Sequence, residues 1–287
     1  MNETIGRGTW LDKVALDIIK RADKFNLQKQ VFRVESGLGA SGIPHVGSLG
    51  DAVRAHGIKL ALENIGQKSE FIAYSDDMDG LRRIPKSFPD SLKKYLATPV
   101  SMIPDPFDCH NSYGDHMSSM LQQSLDILEI DYEHQSGTQA YRNGILNKEI
   151  KTILENSQIV GKKIMEILGQ KKFENILPYY PICEKCGRIY VAEAYEYIKD
   201  ESKVLYRCNG SVVGRTHLEG CGHKGEVDVT KGLGKLSWKG EFAARWSALD
   251  ISFEAYGKDL ADSVKVNDWI SDEILGFPHP HHVKYEM

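Results

Sequence analysis

The chain has 287 residues, 41% of them hydrophobic and 26% charged, which supplies enough apolar material for one large or two ordinary domains with a buried core. No run reaches the roughly 18 apolar residues that a membrane helix needs, and Met1 to Trp10 has neither an apolar h-region nor a cleavage site, so a soluble, cytoplasmic, globular protein is expected. A net charge of -4 means that any nucleic acid must be met by a local basic face, and five clustered cysteines are too few for a secreted disulfide framework.

Residues 10–29 predict an amphipathic helix, with Leu11, Val14, Ala15 and Ile18 on one side, leading into a short strand from Val31 to Glu35. A glycine-rich turn, Gly37 to Gly42, follows. Ser48 to Asn64 predicts a helix carrying Leu49, Ala52, Val53 and Leu60 on one face, and Phe71 to Tyr74 is the compact apolar run of a buried parallel strand. Strand, glycine loop, helix, strand is the opening of a dinucleotide-type fold. From Pro99 the pattern changes to a Pro-rich segment at 104–106, helices around 115–128 and 147–168, and a block rich in Cys and Gly. Alternation resumes after Gly234 with a helix at Glu241 to Leu249, a strand at Phe253 to Tyr256, a helix at Ser263 to Leu275 and a strand at His282 to Met287. The organisation expected is an α/β, Rossmann-like parallel sheet in two halves, 1–98 and 231–287, with an inserted helical and zinc-ribbon region at 99–230.

The segment Glu35 to Ser48 places small residues where backbone N–H groups and a helix N-terminus can face an anion. Gly37, Gly39 and Gly42 let a ligand approach the main chain, and Pro44 stiffens the entry. His45 adds a donor able to follow charge on a transferring phosphoryl group, and Gly47 leaves room for an adenine ring. Glycines alone would equally describe a tight turn with a capping serine. Pro44-His45-Val46-Gly47 after the loop favours the phosphate reading. Asp76, Asp77 and Asp79 sit at the carboxyl end of a predicted strand, where open α/β sheets bind ligands; they either receive an ammonium group or only cap and salt-bridge the loop. Glu35 is a further candidate for an ammonium.

Cys183 and Cys186 have the spacing of a metal knuckle with Gly187 behind it, and Cys208 and Cys221 offer the second half, with His223 competing with Cys221 as fourth ligand; metal-free cysteines in a core are the other reading. Four ligands leave no open position, so the role of a zinc ion there is structural. Asp105, Cys109, His110 and His116 gather a second mixed donor set, which borderline-soft zinc accepts and which ordinary polar packing also produces. If both sites hold metal, no cysteine is left as a nucleophile.

Pro44-His45-Val46-Gly47 is similar to the HIGH motif of class I aminoacyl-tRNA synthetases, and the spacing of Ser36, Gly37, Ser41, Gly42 and His45 resembles the class I lysyl enzymes. Further matches follow in order: Tyr74 to Arg82, Ile103 to His110 with Ser112, Tyr113 and His116, and Tyr256 to Leu260 with Asp262, Ser263 and Val264. The resemblance implies the class I synthetase nucleotide-binding fold and lysine--tRNA ligase activity. Lysine would be activated to lysyl-adenylate with ATP and Mg²⁺ and transferred to tRNA(Lys), by positioning and charge stabilisation without a protein nucleophile. It assigns His45, Gly47 and Ser48 to the reaction centre, with Ser48 standing where the generic motif has His. It assigns Gly37, Gly39, Pro44, His45, Gly47, Lys258 and Asp259 to ATP, and Glu35, Gly37, Asp76, Asp77 and Phe242 to lysine. Phe242 stands where the family often has Trp, and Trp238, Phe242 and Trp246, at helical spacing, equally read as core. The resemblance also puts metal at the 105–116 cluster, making a second Zn²⁺ site. A monomer without membrane association is expected.

Class I enzymes carry a second mobile loop, KMSKS, beyond the last strand of this fold. Nothing up to Met287 matches it, so the chain reads as an N-terminal catalytic portion, weakly active or inactive alone. Two other readings remain: a truncated, non-catalytic paralogue that binds tRNA or a partner, and another adenylate-forming transferase.

Overall fold

A computed structural model describes residues 7–86 and 88–286; Met1 to Gly6, Ser87 and Met287, the last residue of the predicted final strand, lie outside the described residues. The first helix, α1 (Trp10–Lys24), begins where Thr9 and Asp12 cap each other's backbone N–H groups and ends before Asn26, whose φ of 53° turns the chain out of the helix five residues earlier than its apolar pattern suggests. It is followed by β1 (Phe32–Leu38), α2 (Val46–Asn64) and β2 (Ser69–Ser75). Next come α3 (Tyr113–Ile127) and β3 (Glu133–Ser136).

Three short helices follow: α4 (Gly137–Arg142), α5 (Asn147–Glu155) and α6 (Ser157–Leu168). The periodicity from 147 to 168 reads as one helix, but Asn156 breaks it, its side-chain Nδ2 donating to Thr152 O at 2.8 Å. The strands β4 (Tyr179–Pro181), β5 (Ala192–Ile198), β6 (Lys203–Cys208), β7 (Gly210–Val213), β8 (Thr216–Glu219), β9 (Lys224–Asp228) and β10 (Gly234–Leu236) then build the cysteine-bearing region. Here β5, β6 and β9 form one antiparallel sheet and β7 and β8 a hairpin, while β4 pairs with β10 where the chain leaves and re-enters. The chain finishes with α7 (Glu241–Ala248), β11 (Ile251–Gly257), α8 (Ala261–Trp269) and β12 (His281–Tyr285). The helix read as running to Leu275 gives way at Ile270 to a wider turn closed by Leu275 N donating to Ile270 O at 2.9 Å.

The main sheet is parallel throughout, in the order β12-β11-β1-β2-β3. Renumbered within the sheet this is 3-2-1-4-5, the doubly wound arrangement, and the order reverses between β1 and β11. Alternate residues of β1 and β2, among them Val34, Leu38, Phe71 and Ala73, pack on α1 and α2; Ile72 and Tyr74 face the opposite layer with α7 and α8. The edge strand β3 lies inside the span read as an insertion from residue 99. Its sequence, Glu133-His134-Gln135-Ser136, has no apolar residue to announce it, because its side chains are mostly exposed at the sheet edge. The departure from the sheet therefore starts after Ser136. Among the described residues no helix is long and apolar enough to cross a membrane.

Candidate functional site

The carboxyl ends of β1 and β11, at the reversal of strand order, are where such a sheet offers a crevice. The loop from Gly39 to Pro44 leaves β1 there and delivers His45 as the N-cap of α2. A Cβ added at Gly39 or Gly42 would meet no atom within 4 Å, so both glycines open the loop to approach. A Cβ at Gly37 would stand 3.5 Å from Asp76 Oδ2 and 3.9 Å from an Arg245 nitrogen, at the floor of the crevice. The ring of His45 folds over the start of its own helix: Nδ1 accepts from Gly47 N at 3.1 Å and Ser48 N at 3.4 Å. These two N–H groups, expected to face an anion, are thus satisfied locally. A neutral ring that accepts at Nδ1 carries its proton on Nε2, so His45 presents an N–H outward at the helix N-terminus, where negative charge is favoured.

Behind the loop lies a buried charge network. Arg245, on the inner face of α7, is fully buried and pairs with Glu35 of β1, with Asp76 at 3.2 Å and with Glu254 of β11 at 3.1 Å. The rings of Tyr74 and Phe242 lie 4.3 and 5.0 Å from its guanidinium carbon, and Trp246 Nε1 donates to the other oxygen of Glu254. Lys235, also buried, bridges Asp79 at 2.5 Å and Glu241 at 2.7 Å, and Tyr141 donates its hydroxyl to Glu241 at 3.0 Å. Five carboxylates here face three cations, since Arg82 also reaches Asp79 at 3.3 Å, and Glu35 Oε2 has no hydrogen-bond partner among the described residues. Burial, opposed by the Arg245 guanidinium, pushes Glu35 up to about 8 and Asp76 up to about 7. Burial alone would depress Lys235 and Arg245; their carboxylate partners outweigh it and hold both well above their ordinary values. Asp77 does something else. Its oxygens accept from Ser136 Oγ at 2.5 Å and Thr138 N at 2.6 Å at the start of α4, the capping arrangement that the sequence offered beside a lysine-contacting role.

At the end of β11, Asp259 Oδ1 would stand 2.6 Å from a Cβ on Gly257, showing the carboxylate folded back over the strand end. Lys258 is exposed and reaches Glu286 at 2.8 Å. Asp51, in α2, accepts from the Tyr285 hydroxyl, and burial raises it to about 7, Arg54 opposing and Glu254 and Asp259 adding to the rise. Asp51, Glu254 and Asp259 therefore share one side of the crevice. Trp238, Phe242 and Trp246 pack on one another, with centroid separations of 5.1 and 6.0 Å. Phe242 and Trp246 are core, and Phe242 also touches the charge network. Lys235, Glu241, Arg245, Glu254 and Asp51 were not singled out from the sequence. The available signal was charge on positions that the strand and helix patterns turn inward.

The sulfurs of Cys183, Cys186, Cys208 and Cys221 all lie within 4.8 Å of one another, with Cys183–Cys221 at 3.6 Å and Cys186–Cys208 at 3.8 Å. Gly187 takes a φ of 69° behind the knuckle, and Cys221 N donates to Cys208 Sγ at 3.4 Å, as around a thiolate. His223 turns Nε2 to Glu184 at 2.6 Å, which leaves Cys221 as the fourth sulfur. Four converging thiols suit tetrahedral zinc. In the other cluster, Cys109 Sγ lies 3.2 Å from Asp105 Oδ2, 3.2 Å from His110 Nδ1 and 3.3 Å from His116 Nδ1. Burial acts against the charge on Asp105, but the Cys109 thiol and the backbone N–H groups of Phe107, Cys109 and His110 hold it well below the usual carboxylate range.

The doubly wound sheet, the His45-capped helix after β1 and the acidic crevice at the switch point define a nucleotide-binding domain of the class I synthetase type. More closely, the chain belongs to the family described as tRNA synthetases class I (K), whose model matches residues 8–287. Two relatives named lysine--tRNA ligase, from Cenarchaeum symbiosum and its strain A, are 54% identical over 99% of this chain and 55% identical over 100% of it. A lysine--tRNA ligase of Methanosphaera stadtmanae is 34% identical over 96% of the chain. These matches cover 54%, 55% and 50% of the relatives, so the chain spans about half the length of the curated relatives it matches.

Proposed function

We propose that this chain carries the lysine-activating site of a cytoplasmic lysine--tRNA ligase. The observation that carries the reading is the surplus of buried carboxylates around Arg245 and Lys235 at the switch point. Such a site gains most from a ligand that brings its own ammonium groups, and the names of the relatives specify lysine. Glu35 and Asp76 receive an ammonium of lysine, with Phe242 packing on its methylenes. Gly37, Gly39, Pro44 and Gly47 make room for ATP, Asp259 orients the ribose and Lys258 meets phosphate. The lysine carboxylate attacks the α-phosphorus and pyrophosphate leaves. His45 Nε2–H, beside Gly47 and Ser48, stabilises the charge that develops, and Mg²⁺ accompanies the nucleotide. A terminal ribose hydroxyl of tRNA(Lys) then attacks the carbonyl carbon of the lysyl-adenylate, and AMP leaves as the ester forms. Structural zinc in the cysteine quartet would tie β5, β6 and β9 to the knuckle, and the Asp105 cluster would hold a second ion near α3.

Calorimetric titration with lysine near pH 7.5, in buffers of different ionisation heat, tests the reading. An ammonium arriving beside Glu35 and Asp76 lowers their proton affinity, so lysine is expected to bind with proton release, and Asp76→Asn to weaken it at least about tenfold. Binding of another amino acid in preference to lysine would overturn it.

A further inference from the structure

One face of α2 turns toward the ends of β11 and β12, and Gly47, Asp51 and Arg54 follow one another along it at four- and three-residue spacing. Asp51 is half-buried, lies 3.6 Å from an Arg54 nitrogen and accepts the hydroxyl of Tyr285, the last residue of β12. The Arg54 guanidinium lies over the Tyr285 ring, 3.9 Å from its centroid. A Cβ at Gly50 would meet an Arg54 nitrogen at 3.0 Å, so the glycine leaves the guanidinium room to lie there. The Tyr285 hydroxyl also stands 3.8 Å from where a Cβ on Gly257 would be, next to the Asp259 carboxylate. Between α2 and the end of β11, therefore, sits a flat ring stacked on a guanidinium, with a hydrogen-bond donor at its edge tied to a carboxylate.

We infer that Asp51 reads the base of the nucleotide, accepting from the 6-amino group of adenine at the place where Tyr285 donates its hydroxyl. The inference rests on the reading that the crevice holds ATP and deepens it by naming the residue that selects the base. That reading puts the adenine beside Gly47 and the ribose on Asp259. A base joined to that ribose ends within reach of Asp51, one helical turn from Gly47. An ionised carboxylate only accepts, so it takes an amino group at position 6 of a purine and repels a carbonyl oxygen there. Burial, opposed by Arg54 and assisted by Glu254 and Asp259, raises Asp51 to about 7, so above that pH it holds a half-buried charge that is costly to leave without a donor. Tyr285 and the base are alternatives: each brings a flat ring for Arg54 and a donor for Asp51, and one must leave for the other to enter.

The test is calorimetric binding of ATP and of inosine triphosphate, which has a carbonyl in place of the 6-amino group, with Mg²⁺ and without lysine, at pH 8, where Asp51 is ionised. Wild type is expected to bind ATP at least about tenfold tighter. In Asp51→Asn, whose amide both donates and accepts, the ratio is expected to fall to about one, inosine triphosphate gaining as ATP loses. Tyr285→Phe, which removes the competing donor, is expected to tighten ATP about threefold and to keep the preference. Equal affinity of the wild type for the two nucleotides would overturn the inference without recourse to any variant. So would an undiminished preference in Asp51→Asn, or a parallel loss of both nucleotides there, which would leave Asp51 a support of α2 alone. Weaker ATP binding by Tyr285→Phe would overturn the exchange of Tyr285 for the base, and the inference with it. Binding of neither nucleotide to the wild type would instead sink the ATP reading itself, together with what rests on it.

Discussion

At Arg245 three carboxylates share one guanidinium, and their protonation sets how the protein answers to pH. Glu35 is raised from 4.5 to about 8, so the folded state holds a proton that the unfolded chain has released. The stability this contributes is complete below the unfolded value and is lost as pH rises through the folded one. Urea unfolding between about pH 6 and 8.5 is expected to show stability falling with pH, less steeply in Glu35→Gln; a rising profile in the wild type would contradict the burial of that charge. Arg245→Met should cost about 3–5 kcal/mol, since it leaves buried carboxylates without their cation, and chemical denaturation measures it. At this scale the sequence showed the acids at the ends of β1 and β2 because they follow apolar runs beside a glycine loop. Arg245 and Lys235 were invisible, since a cation on an inward face is recognised only when its partners, distant in the chain, are known.

Among the elements, those with strong local signals were legible: α1 and α2 from their three- and four-residue spacing, β2 from its compact apolar run. The Thr9 cap was not predicted from the sequence, and Thr9→Ala is expected to cost about 1 kcal/mol, measurable by thermal unfolding. The polar edge strand β3 has no periodic pattern because only pairing with β2, through partners such as Ile72 and Glu133, makes it a strand. The cysteine quartet was legible from the knuckle, whereas the choice between Cys221 and His223 needed the fold, which commits His223 to Glu184. Metal analysis is expected to find two zinc ions per chain, one lost in Cys186→Ser and the other in Cys109→Ser. Chelation should lower the unfolding temperature, since structural zinc binding contributes to folding free energy. No loss of metal in Cys186→Ser would refute a structural ion in the quartet.

For the whole molecule, the doubly wound sheet gathers at one crevice residues from positions 35, 76, 241 and 254, which no window of sequence spans. The motif around His45 lies at the N-terminus of α2 beside the switch point, and the family match shows the class to which the chain belongs. What the fold adds is the opposite wall, a buried acidic chamber around Arg245 and Lys235. The most direct measurement is a comparison of non-hydrolysable aminoacyl-adenylate analogues by calorimetry. The lysyl analogue is expected to bind at least about a hundredfold tighter than the methionyl and glutamyl analogues, because all three bring an α-ammonium but only lysine adds a side-chain ammonium for the buried carboxylates. Equal affinity for the three, or preference for the glutamyl analogue, would contradict a lysine-activating site.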